Sequence, residues 1–402
     1  MINIGNDDSF MLKSSLQFKK KLYLDKNLQI IFSITLMAVL GVASITPAFP
    51  KIEEELNIST QQAGYLITFF TLPGVFLTPV LGVLADRLGR KKILVPSLLL
   101  FGLAGTSCFF MRDFHMLLLL RVFQGIGAAA IGSLNVTLIG DLFEGRDRPA
   151  AMGYNASVLS IGTASYPAIG GALATLGWYY PFLLPAFAVP IAFVVMHSLE
   201  PVRSVNHQKL RIYLGRAWES IKDKRVIVIF IASIFTFIIL YGAYLSYLPF
   251  LLDSTFSSPP YLIGLLFSVA SLTTAITSSQ VGRLTVRYSE KALLKAAFII
   301  YSVSLITIPF ISNIWLLLIP LIIFGIAQGL NIPSLLTILT NLAPVDNRAA
   351  FMSLNGMVLR IGQTLGPVIM GIIFGLFGLT AVYLSGAAFA IVMFVLIWTI
   401  MD

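Results

Sequence analysis

The stretch LLLLRVFQGIGAAAIGSLNVTLIGD, from Leu117 to Asp141, places an arginine and a glutamine inside an otherwise apolar segment. As a helix, about 25 residues span the hydrocarbon core of a bilayer, which is roughly 30 Å thick. In that helix Arg121 lies either in lipid, at a high cost in free energy, or beside a polar cavity. We predict the cavity, and a polar cavity inside a membrane protein indicates a transporter.

The composition of the whole chain is that of a membrane protein. Of its 402 residues, 57% are hydrophobic and 11% are charged, whereas about a quarter are charged in soluble domains. The mean hydropathy is +0.89. The single cysteine, Cys108, excludes an intrachain disulfide and a thiolate metal cluster, and we expect it to pack as a small apolar residue. We expect no nucleic-acid partner, because the placement of the basic residues explains the net charge of +9.

We predict an all-α integral membrane protein with twelve transmembrane helices. The first apolar segment is too long for a signal-peptide core and is followed by no small-residue cleavage pattern, so it counts as a helix. The predicted spans are residues 28–49, 61–84, 93–111, 116–139, 149–175, 181–197, 226–252, 260–282, 292–311, 314–340, 349–375 and 380–400.

The basic residues predict the orientation of these helices. With both ends of the chain in the cytoplasm, all but four of the 27 lysines and arginines fall in cytoplasmic tails and loops. Lys51 and Arg112 then lie outside, and Arg121 and Arg360 are embedded. By the positive-inside rule we predict a monomeric, multi-pass protein of the cell (inner or plasma) membrane, with both termini cytoplasmic and the lipid bilayer as its partner.

The two halves of the chain repeat each other at an offset of 200 residues. We predict a cytoplasmic tail (1–27), a six-helix bundle (28–197), a cytoplasmic linker (198–225) and a second bundle of the same orientation (226–402). The linker has an amphipathic run around Trp218 that we expect on the membrane surface. The residues that recur 200 positions later are Gly64, Leu66, Gly82, Leu84, Arg87, Arg148, Ala150, Met152, Asn155, Val158, Leu159, Ile161, Gly162, Pro167 and Gly171.

The loop after the second span reads GVLADRLGRKK, from Gly82 to Lys92. We expect Gly82 to permit close helix packing and Gly89 to permit a tight turn. The string closely resembles the signature of the major facilitator superfamily, whose members consist of two parallel six-helix bundles. The resemblance implies a conformational latch, with Asp86 facing the start of helix 11 and Arg90 paired with Asp141. The predicted latch residues are Gly82, Asp86, Arg87, Gly89, Arg90 and Asp141.

Two further motifs resemble the exporters of this superfamily. RVFQGIGAA, Arg121–Ala129, resembles the helix-4 motif of the drug:proton antiporter branch, which implies that Arg121 takes part in proton coupling. The alternative is an arginine that snorkels to the outer interface. GYNASVLSIGTASYPAIGG in helix 5 resembles the antiporter motif, although Tyr166 replaces the glycine before the proline. We expect its glycines to pack against a helix of the other half. Its matching residues are Gly153, Gly162, Pro167, Gly170 and Gly171.

Polar residues in the spans predict the lining of the cavity. Arg121, Gln124 and Asn135 share one helical face, and Arg360, about eleven residues into helix 11, is the main candidate for substrate contact. For Tyr247 we favour an interfacial aromatic belt instead. The predicted coupling and cavity residues are Arg121, Gln124, Asn135, Asn155, Tyr241, Tyr244, Gln328, Asn331, Asn355, Arg360 and Gln363.

All 18 acidic residues fall in tails, loops or helix ends, so the two embedded arginines have no embedded carboxylate. If protons drive transport, the expected carriers are acids at the rim such as Asp86, Asp113 or Asp141. A net positive cavity favours anionic or neutral amphiphilic substrates over lipophilic cations.

No catalytic constellation is visible, and none of the three histidines is spaced with another metal ligand. We therefore expect neither an enzyme nor a metal nor a cofactor. We predict a secondary active transporter that exports small amphiphilic compounds, such as drugs, by alternating access, with the proton gradient as driving force. The alternatives are an exporter of an anionic metabolite or siderophore, and an uptake facilitator for a sugar or organic acid.

Overall fold

The computed structural model describes residues 22–200, 223–343 and 348–401, and within these ranges the chain forms helices and turns without a strand. Ten segments are long and apolar enough to cross a membrane. The last of them belongs to a run of 54 residues that Gly378 divides in two, because its φ of 79° and ψ of −177° are not helical. Asp147–Leu176, 30 residues long, completes the twelve helices that the sequence predicts.

We number these helices α1 to α12 in chain order. A 3₁₀ turn at Leu22–Leu24 precedes α1, and each predicted span overlaps one helix. The predicted amphipathic run around Trp218 lies outside the described residues. The helices are α1 Lys26–Leu56, α2 Thr60–Leu88, α3 Arg90–Phe110, α4 Phe114–Leu142, α5 Asp147–Leu176, α6 Tyr180–Ser198, α7 Lys224–Phe256, α8 Pro260–Leu284, α9 Glu290–Phe310, α10 Leu318–Leu342, α11 348–377 and α12 379–401.

Side-chain caps and one glycine fix the helix ends in the first half. Ser59 and Gln62 form a reciprocal capping box at the start of α2. Asp113 caps α4 by accepting a hydrogen bond from the Met116 amide at 2.9 Å. Gly89 turns the chain between α2 and α3 with a φ of 101°, a conformation that glycine adopts without strain. The predicted tight turn at Gly89 is therefore confirmed.

The helix α7 begins at a charged cap and contains an irregular middle. Asp223 accepts a hydrogen bond from the Arg225 amide at 2.8 Å and forms an ion pair with its guanidinium at 2.9 Å. These hydrogen bonds lower the pKa of Asp223, so the cap stays ionised at neutral pH. The segment Ile239–Tyr247 is π-helical, and such turns are frequent at functional sites.

The twelve helices form two parallel six-helix bundles, each with its own apolar core. In the first bundle α4 packs against α2 and α3, and in the second α10 packs against α8 and α9. The bundles meet through two helix pairs, α5 with α8 and α2 with α11. Since the offset of 200 residues relates α2 to α8 and α5 to α11, the duplication relates these two pairs to each other.

The bundles touch at one end of the molecule, which we call the closed end; it carries the α1–α2 and α7–α8 connections. A side chain at Gly171 would overlap the backbone of α8, and one at Gly264 would overlap the backbone of α5. On the other helix pair, a side chain at Gly64 would come within 3.3 Å of Pro367. Small residues thus let the two bundles approach closely here.

The opposite end, which we call the basic end, carries the α2–α3, α4–α5 and α8–α9 connections. A Cβ atom placed at Gly82, Gly153 or Gly282 would have no heavy atom of the described residues within 4 Å. The expectation that Gly82 permits close helix packing is therefore wrong for this arrangement. The two bundles are in contact at the closed end and lie apart toward the basic end.

Candidate functional site

Arg121 lies inside the first bundle, and its side chain is fully buried. Its Nε donates to the Leu66 carbonyl at 3.0 Å, and its Nη2 donates to the Gly41 carbonyl at 2.7 Å. Its Nη1 donates to Gln124 Oε1 at 2.6 Å, and the guanidinium lies 4.3 Å from the centre of the Phe70 ring. The expectations that Arg121 faces a cavity or snorkels to the interface are both wrong, because α1 and α2 satisfy its charge.

Gln124 is also fully buried, so it does not line a cavity. Its amide nitrogen fills the space beside Gly105 on α3, where a Cβ atom would lie 2.5 Å from it. Arg121 and Gln124 therefore form a closed polar cluster that connects α1, α2 and α4. The proton-coupling role that the resemblance implies for Arg121 stays a prediction.

The predicted asparagines of the first bundle also bond within it. The Asn135 amide donates to the Thr35 hydroxyl at 3.1 Å, and that hydroxyl donates to Asn155 Oδ1 at 2.6 Å. Both asparagines are 5% exposed. This network joins α1, α4 and α5. Because Asn135 and Asn155 are buried in it, the prediction that they line the cavity is wrong.

The second bundle has comparable polar contacts. Thr236 donates to Asn331 Oδ1 at 3.0 Å, and the Tyr301 hydroxyl donates to Gln328 Oε1. Asn331 is fully buried and Gln328 is 6% exposed, so the prediction that they face a cavity is wrong. Asn355 is buried as well, and its Oδ1 has no hydrogen-bond partner among the described residues.

Two tyrosines of α7 lie in places that the sequence does not predict. Tyr244 stacks on Phe324 with ring centroids 4.4 Å apart and meets Phe267 edge to face, so it belongs to the core of the second bundle. Tyr247 is fully buried and contacts Phe374. Tyr244 therefore does not line a cavity, and Tyr247 does not belong to an interfacial belt.

Arg360 is the embedded arginine that lies between the bundles. It starts on α11 and reaches across to the first bundle, where a Cβ atom at Gly74 would lie 3.0 Å from its Cδ and one at Gly132 would lie 3.3 Å from its Nη2. Its Nη1 donates to Gln363 Oε1 at 3.1 Å, and it interacts electrostatically with Tyr241. Arg360, Gln363 and Tyr241 thus come together at the junction.

The described ion pairs are made by Arg90 and Arg225, and none of them includes Arg360. Its guanidinium is half-buried and, within the described part of the chain, hydrogen-bonds only Gln363. The junction between the bundles therefore carries a positive charge with donors left over. A carboxylate or phosphate of a bound molecule satisfies such a group.

Three threonines connect the bundles beside Arg360, and sequence reasoning missed them. Thr68 donates to the Thr364 carbonyl at 3.3 Å, and the hydroxyls of Thr71 and Thr364 lie 2.9 Å apart. In the sequence, this contact is indicated by the spacing of Thr68 and Thr71, which places both hydroxyls on one face of α2. Hydroxyls in apolar helices also bond their own backbone, as Thr71 does with the Ile67 carbonyl, so the spacing does not identify a partner.

The predicted latch loop is present at the basic end. Arg90 Nε donates to Asp141 at 2.9 Å, and Arg90 also forms an ion pair with Asp86. Arg87 is exposed. The side chains at the start of α11 are not among those described, so the predicted contact of Asp86 with this helix end stays a prediction. The pairing of Arg90 with Asp141 is present, and its role as a latch stays a prediction.

The motif glycines of α5 serve two neighbours. Gly170 faces the backbone of α1 at Ser44, and Gly162 lies against Leu36 on the same helix. Gly171 faces α8 of the other bundle. The expectation that the motif packs against the other half therefore holds for Gly171, whereas Gly162 and Gly170 pack within the first bundle. Tyr166 is buried in the core of that bundle.

The comparison with known families covers nearly the whole chain. The sequence profile described as Major Facilitator Superfamily matches residues 31–262 and 251–402. The chain belongs to the Major Facilitator Superfamily. Members of this superfamily are membrane transporters and not enzymes, so the predicted family, fold class and lack of enzymatic activity are confirmed.

Several relatives of this superfamily member are named as exporters or resistance proteins. The chain is 26% identical over 358 residues to the bacillibactin exporter of Bacillus subtilis, covering 85% of this chain and 88% of that protein. It is 28% identical over 356 residues to multidrug resistance protein 1 of the same species, covering 86% and 89%. It is 24% identical over 385 residues to the quinolone resistance protein NorA of Staphylococcus aureus, covering 93% and 97%.

Solved structures of the superfamily share the fold. The nucleoside transporter NupG matches with a TM-score of 0.78 at 14% identity, covering 94% of this chain and 100% of that chain. A bacterial homolog of the human lysosomal transporter Spinster, in an inward-facing conformation, matches with a TM-score of 0.77 at 18% identity, covering 94% and 98%. At these identities the likeness concerns the fold alone.

Proposed function

We propose that this protein is a secondary active exporter, which uses the proton gradient and alternating access to expel small amphiphilic compounds, and that Arg360 binds an anionic group of the substrate. The observation that carries the proposal is the position of Arg360 between the bundles, with Gln363 as its described hydrogen-bond partner. An arginine in that position binds carboxylate or phosphate in a fixed geometry.

The surroundings of Arg360 suit an amphiphile. Gly74 and Gly132 let the Arg360 side chain pack closely against the first bundle. Tyr241 is half-buried beside Arg360 and packs against the apolar core of the first bundle. An aromatic ring offers an apolar face and a polar tip, so charged and apolar parts of one molecule find partners close together.

The way in which the bundles meet supports alternating access. Two helix pairs, α5 with α8 and α2 with α11, make the contact, and the closed end is packed while the basic end is apart. A rocking motion that opens the closed end and packs the basic end exposes Arg360 to the two sides in turn. With the basic end in the cytoplasm, the present arrangement takes up substrate from inside.

Export rather than uptake is supported by the relatives, two of which are named for drug or quinolone resistance and one for the export of bacillibactin. As proton carriers we propose the acids at the rim, Asp86 and Asp141, which lie beside Arg90 at the basic end. We propose a location in the plasma membrane with both termini in the cytoplasm, and a monomer as the working unit.

The test uses everted membrane vesicles energised to an acidic interior, with a fluorescent carboxylate amphiphile and its uncharged methyl ester as probes. We expect proton-dependent accumulation of the carboxylate, which a protonophore abolishes. We expect Arg360→Gln to lower that accumulation about tenfold or more, since a hydrogen bond to a charged group contributes about 1.5–3 kcal/mol, and to leave the ester largely unaffected.

The matched control is Arg283→Gln, because Arg283 is exposed at the basic end. Equal loss in both variants indicates a general charge effect and contradicts the role of Arg360. Entry of the probe without proton dependence indicates a facilitator instead of an exporter.

A further inference from the structure

A pocket of about 630 Å³, with a mixed polar and apolar lining, lies at the closed end, where the two bundles meet. Its walls come from the end of α1 in the first bundle and from the end of α7 and the start of α8 in the second. The pocket is open to solvent, so protons reach it from the water on that side. By the predicted orientation this is the external side of the membrane.

Three carboxylates and one ammonium group line this pocket. Glu53, Glu54 and Lys51 belong to α1, and Asp253 belongs to α7 of the other bundle. Asp253 interacts electrostatically with both glutamates. With every group ionised, the pocket carries a net negative charge that the contact between the bundles brings together.

Glu53 is the most constrained of these acids. It is half-buried, and the Thr60 hydroxyl on α2 donates to its Oε1 at 2.7 Å. The titratable groups around it are Lys51 and Glu54 on α1, Asp253 on α7, and Tyr247 on α7, which itself interacts with Tyr65 on α2. The Thr60 backbone amide also hydrogen-bonds the Glu53 carboxylate.

A second observation points to a ligand in this place. Ser258 lines the pocket and is 2% exposed, yet its hydroxyl has no hydrogen-bond partner among the described residues. Tyr247 is fully buried, and its hydroxyl is also without a described partner. Buried hydroxyls normally have a hydrogen-bond partner. The Ser258 hydroxyl in the pocket, and the Tyr247 hydroxyl near it, are therefore available to form hydrogen bonds with a proton carrier.

The pocket exists only while the bundles touch. Phe49 on α1 and Phe250 on α7 pack with ring centroids 6.4 Å apart beside it, and Gly171 seats α5 on the first turn of α8 at Pro260, which lines it. When the closed end opens, α7 moves away with the second bundle, and the distance from Asp253 to the glutamates increases. Opening therefore relieves the repulsion that closing creates.

We propose that this pocket is a proton-binding site that forms on closure of the external side, with Glu53 as the acid that takes up the proton. The proposal rests on the alternating access proposed above. In the closed pocket, protonation of Glu53 removes its electrostatic repulsion with Asp253. In the open state Asp253 is far from Glu53, so protonation relieves less repulsion there. Protonation of Glu53 therefore stabilises the closed state. The closed arrangement is then favoured at low external pH and disfavoured as the pH rises.

The test measures closure directly, without substrate and without a gradient. Spin labels are attached to cysteines introduced by His115→Cys, in the first turn of α4, and Trp315→Cys, in the turn before α10. Both positions lie at the closed end, one on each bundle, and the protein is reconstituted in lipid nanodiscs. Cys108 is fully buried and stays in place. We expect the population with the shorter label distance to grow as the pH falls, with a closed-to-open ratio that changes up to about tenfold per pH unit for one linked proton.

Glu53→Gln resembles the protonated acid, so we expect it to stay closed across the pH range. Asp253 is exposed and faces the glutamates across the pocket, and Asp253→Asn removes its charge. We expect a higher closed population at high pH and a weaker pH dependence in this variant. Glu55→Gln is the matched control, because Glu55 is exposed on the same helix and does not line the pocket; it should behave like the parent protein.

Three results overturn the proposal: no pH dependence in the parent protein, an unchanged pH dependence in Glu53→Gln, or an equal loss in Glu55→Gln. The vesicle assay of transport is separate from this measurement. A protein that exports without protons, but closes with falling pH through Glu53, contradicts the proposed coupling and supports the proton site.

Discussion

Two embedded arginines illustrate at the residue scale how a charge is accommodated within apolar helices. Arg121 uses carbonyls of Gly41 and Leu66 together with the Gln124 amide, so three helices share its charge. Arg360 has one described partner, Gln363, and points across the junction. An arginine with three buried acceptors stabilises its bundle, whereas one with a single described partner is available to a ligand.

Arg121→Ala should therefore destabilise the first bundle. The change removes three charge-assisted hydrogen bonds and leaves a cavity, so we expect a loss of about 3 kcal/mol or more in the free energy of unfolding. Thermal unfolding of detergent-purified protein measures it. Arg283→Ala, at an exposed site, should change stability by less than about 0.5 kcal/mol.

The same variant separates the structural role of Arg121 from proton coupling. We expect the folded fraction of Arg121→Ala to transport with the pH profile of the parent protein. A shifted pH profile in protein of normal stability would show that Arg121 acts in coupling.

The sequence does not distinguish these two arginines. Both stand inside apolar spans, and Arg121 shares a helical face with Gln124 and Asn135, which suggested a cavity. Helical spacing reports which residues share a face, and it does not report what covers that face. The two carbonyl acceptors of Arg121 lie 55 and 80 residues away in the sequence, so the packing of α1 and α2 against α4 identifies them.

At the scale of a helix, α5 shows how two consecutive glycines serve different neighbours. Gly170 faces α1 in the same bundle, and Gly171 faces α8 in the other bundle. Successive residues of a helix point about 100° apart, so one position belongs to the fold of the first bundle and the next belongs to the contact between bundles.

Alanine at these two positions should have different consequences. A Cβ atom at Gly171 overlaps the Pro260 carbonyl oxygen, so we expect Gly171→Ala to lower the closed population in the spin-label measurement while the bundle stays folded. A Cβ atom at Gly170 overlaps the Ser44 carbonyl oxygen, and we expect Gly170→Ala to lower the unfolding temperature, with a cost of about 1–3 kcal/mol from overpacking. Identical effects of both variants on closure and stability would contradict this division.

Most spans were predictable from hydrophobic length, although α5 is not among the ten segments that length and hydropathy select. The tight turn at Gly89 was predictable because glycine adopts a positive φ without strain. The π-helical segment Ile239–Tyr247 was not predictable, since nothing in its residues breaks the α-helical pattern. The position of Tyr244 depends on its stacking with Phe324, a residue 80 positions away on α10. Contacts of this kind are set by tertiary packing.

At the scale of the whole molecule, the duplication gives two bundles with the same helix arrangement but different buried side chains. The position of Arg121 corresponds to Leu321, and that of Gln124 corresponds to Phe324, which stacks on Tyr244. The first bundle therefore has a charged cluster where the second has an aromatic one. The offset of 200 residues predicted two bundles of the same orientation, but it did not predict that they meet through α5 with α8 and α2 with α11.

The orientation of the molecule can be tested with single cysteines, because Cys108 is fully buried and unreactive toward bulky reagents. Trp315 is 67% exposed at the closed end, and Tyr288 is 56% exposed at the basic end. We expect Trp315→Cys to react with a membrane-impermeant maleimide in intact cells and Tyr288→Cys to react only after permeabilisation. The reverse pattern contradicts the predicted orientation, and the parent protein controls for Cys108.

Gly378 is the single residue between α11 and α12, and the chain reverses its direction across the membrane there. The outer face of α12 presents large apolar side chains, among them Trp398 at 58% exposure, to the hydrocarbon of the lipids. A connection of one residue leaves the two helices little freedom to move separately. Any rocking of the second bundle therefore carries the lipid-facing helix α12 along with α11 and its Arg360 as one part.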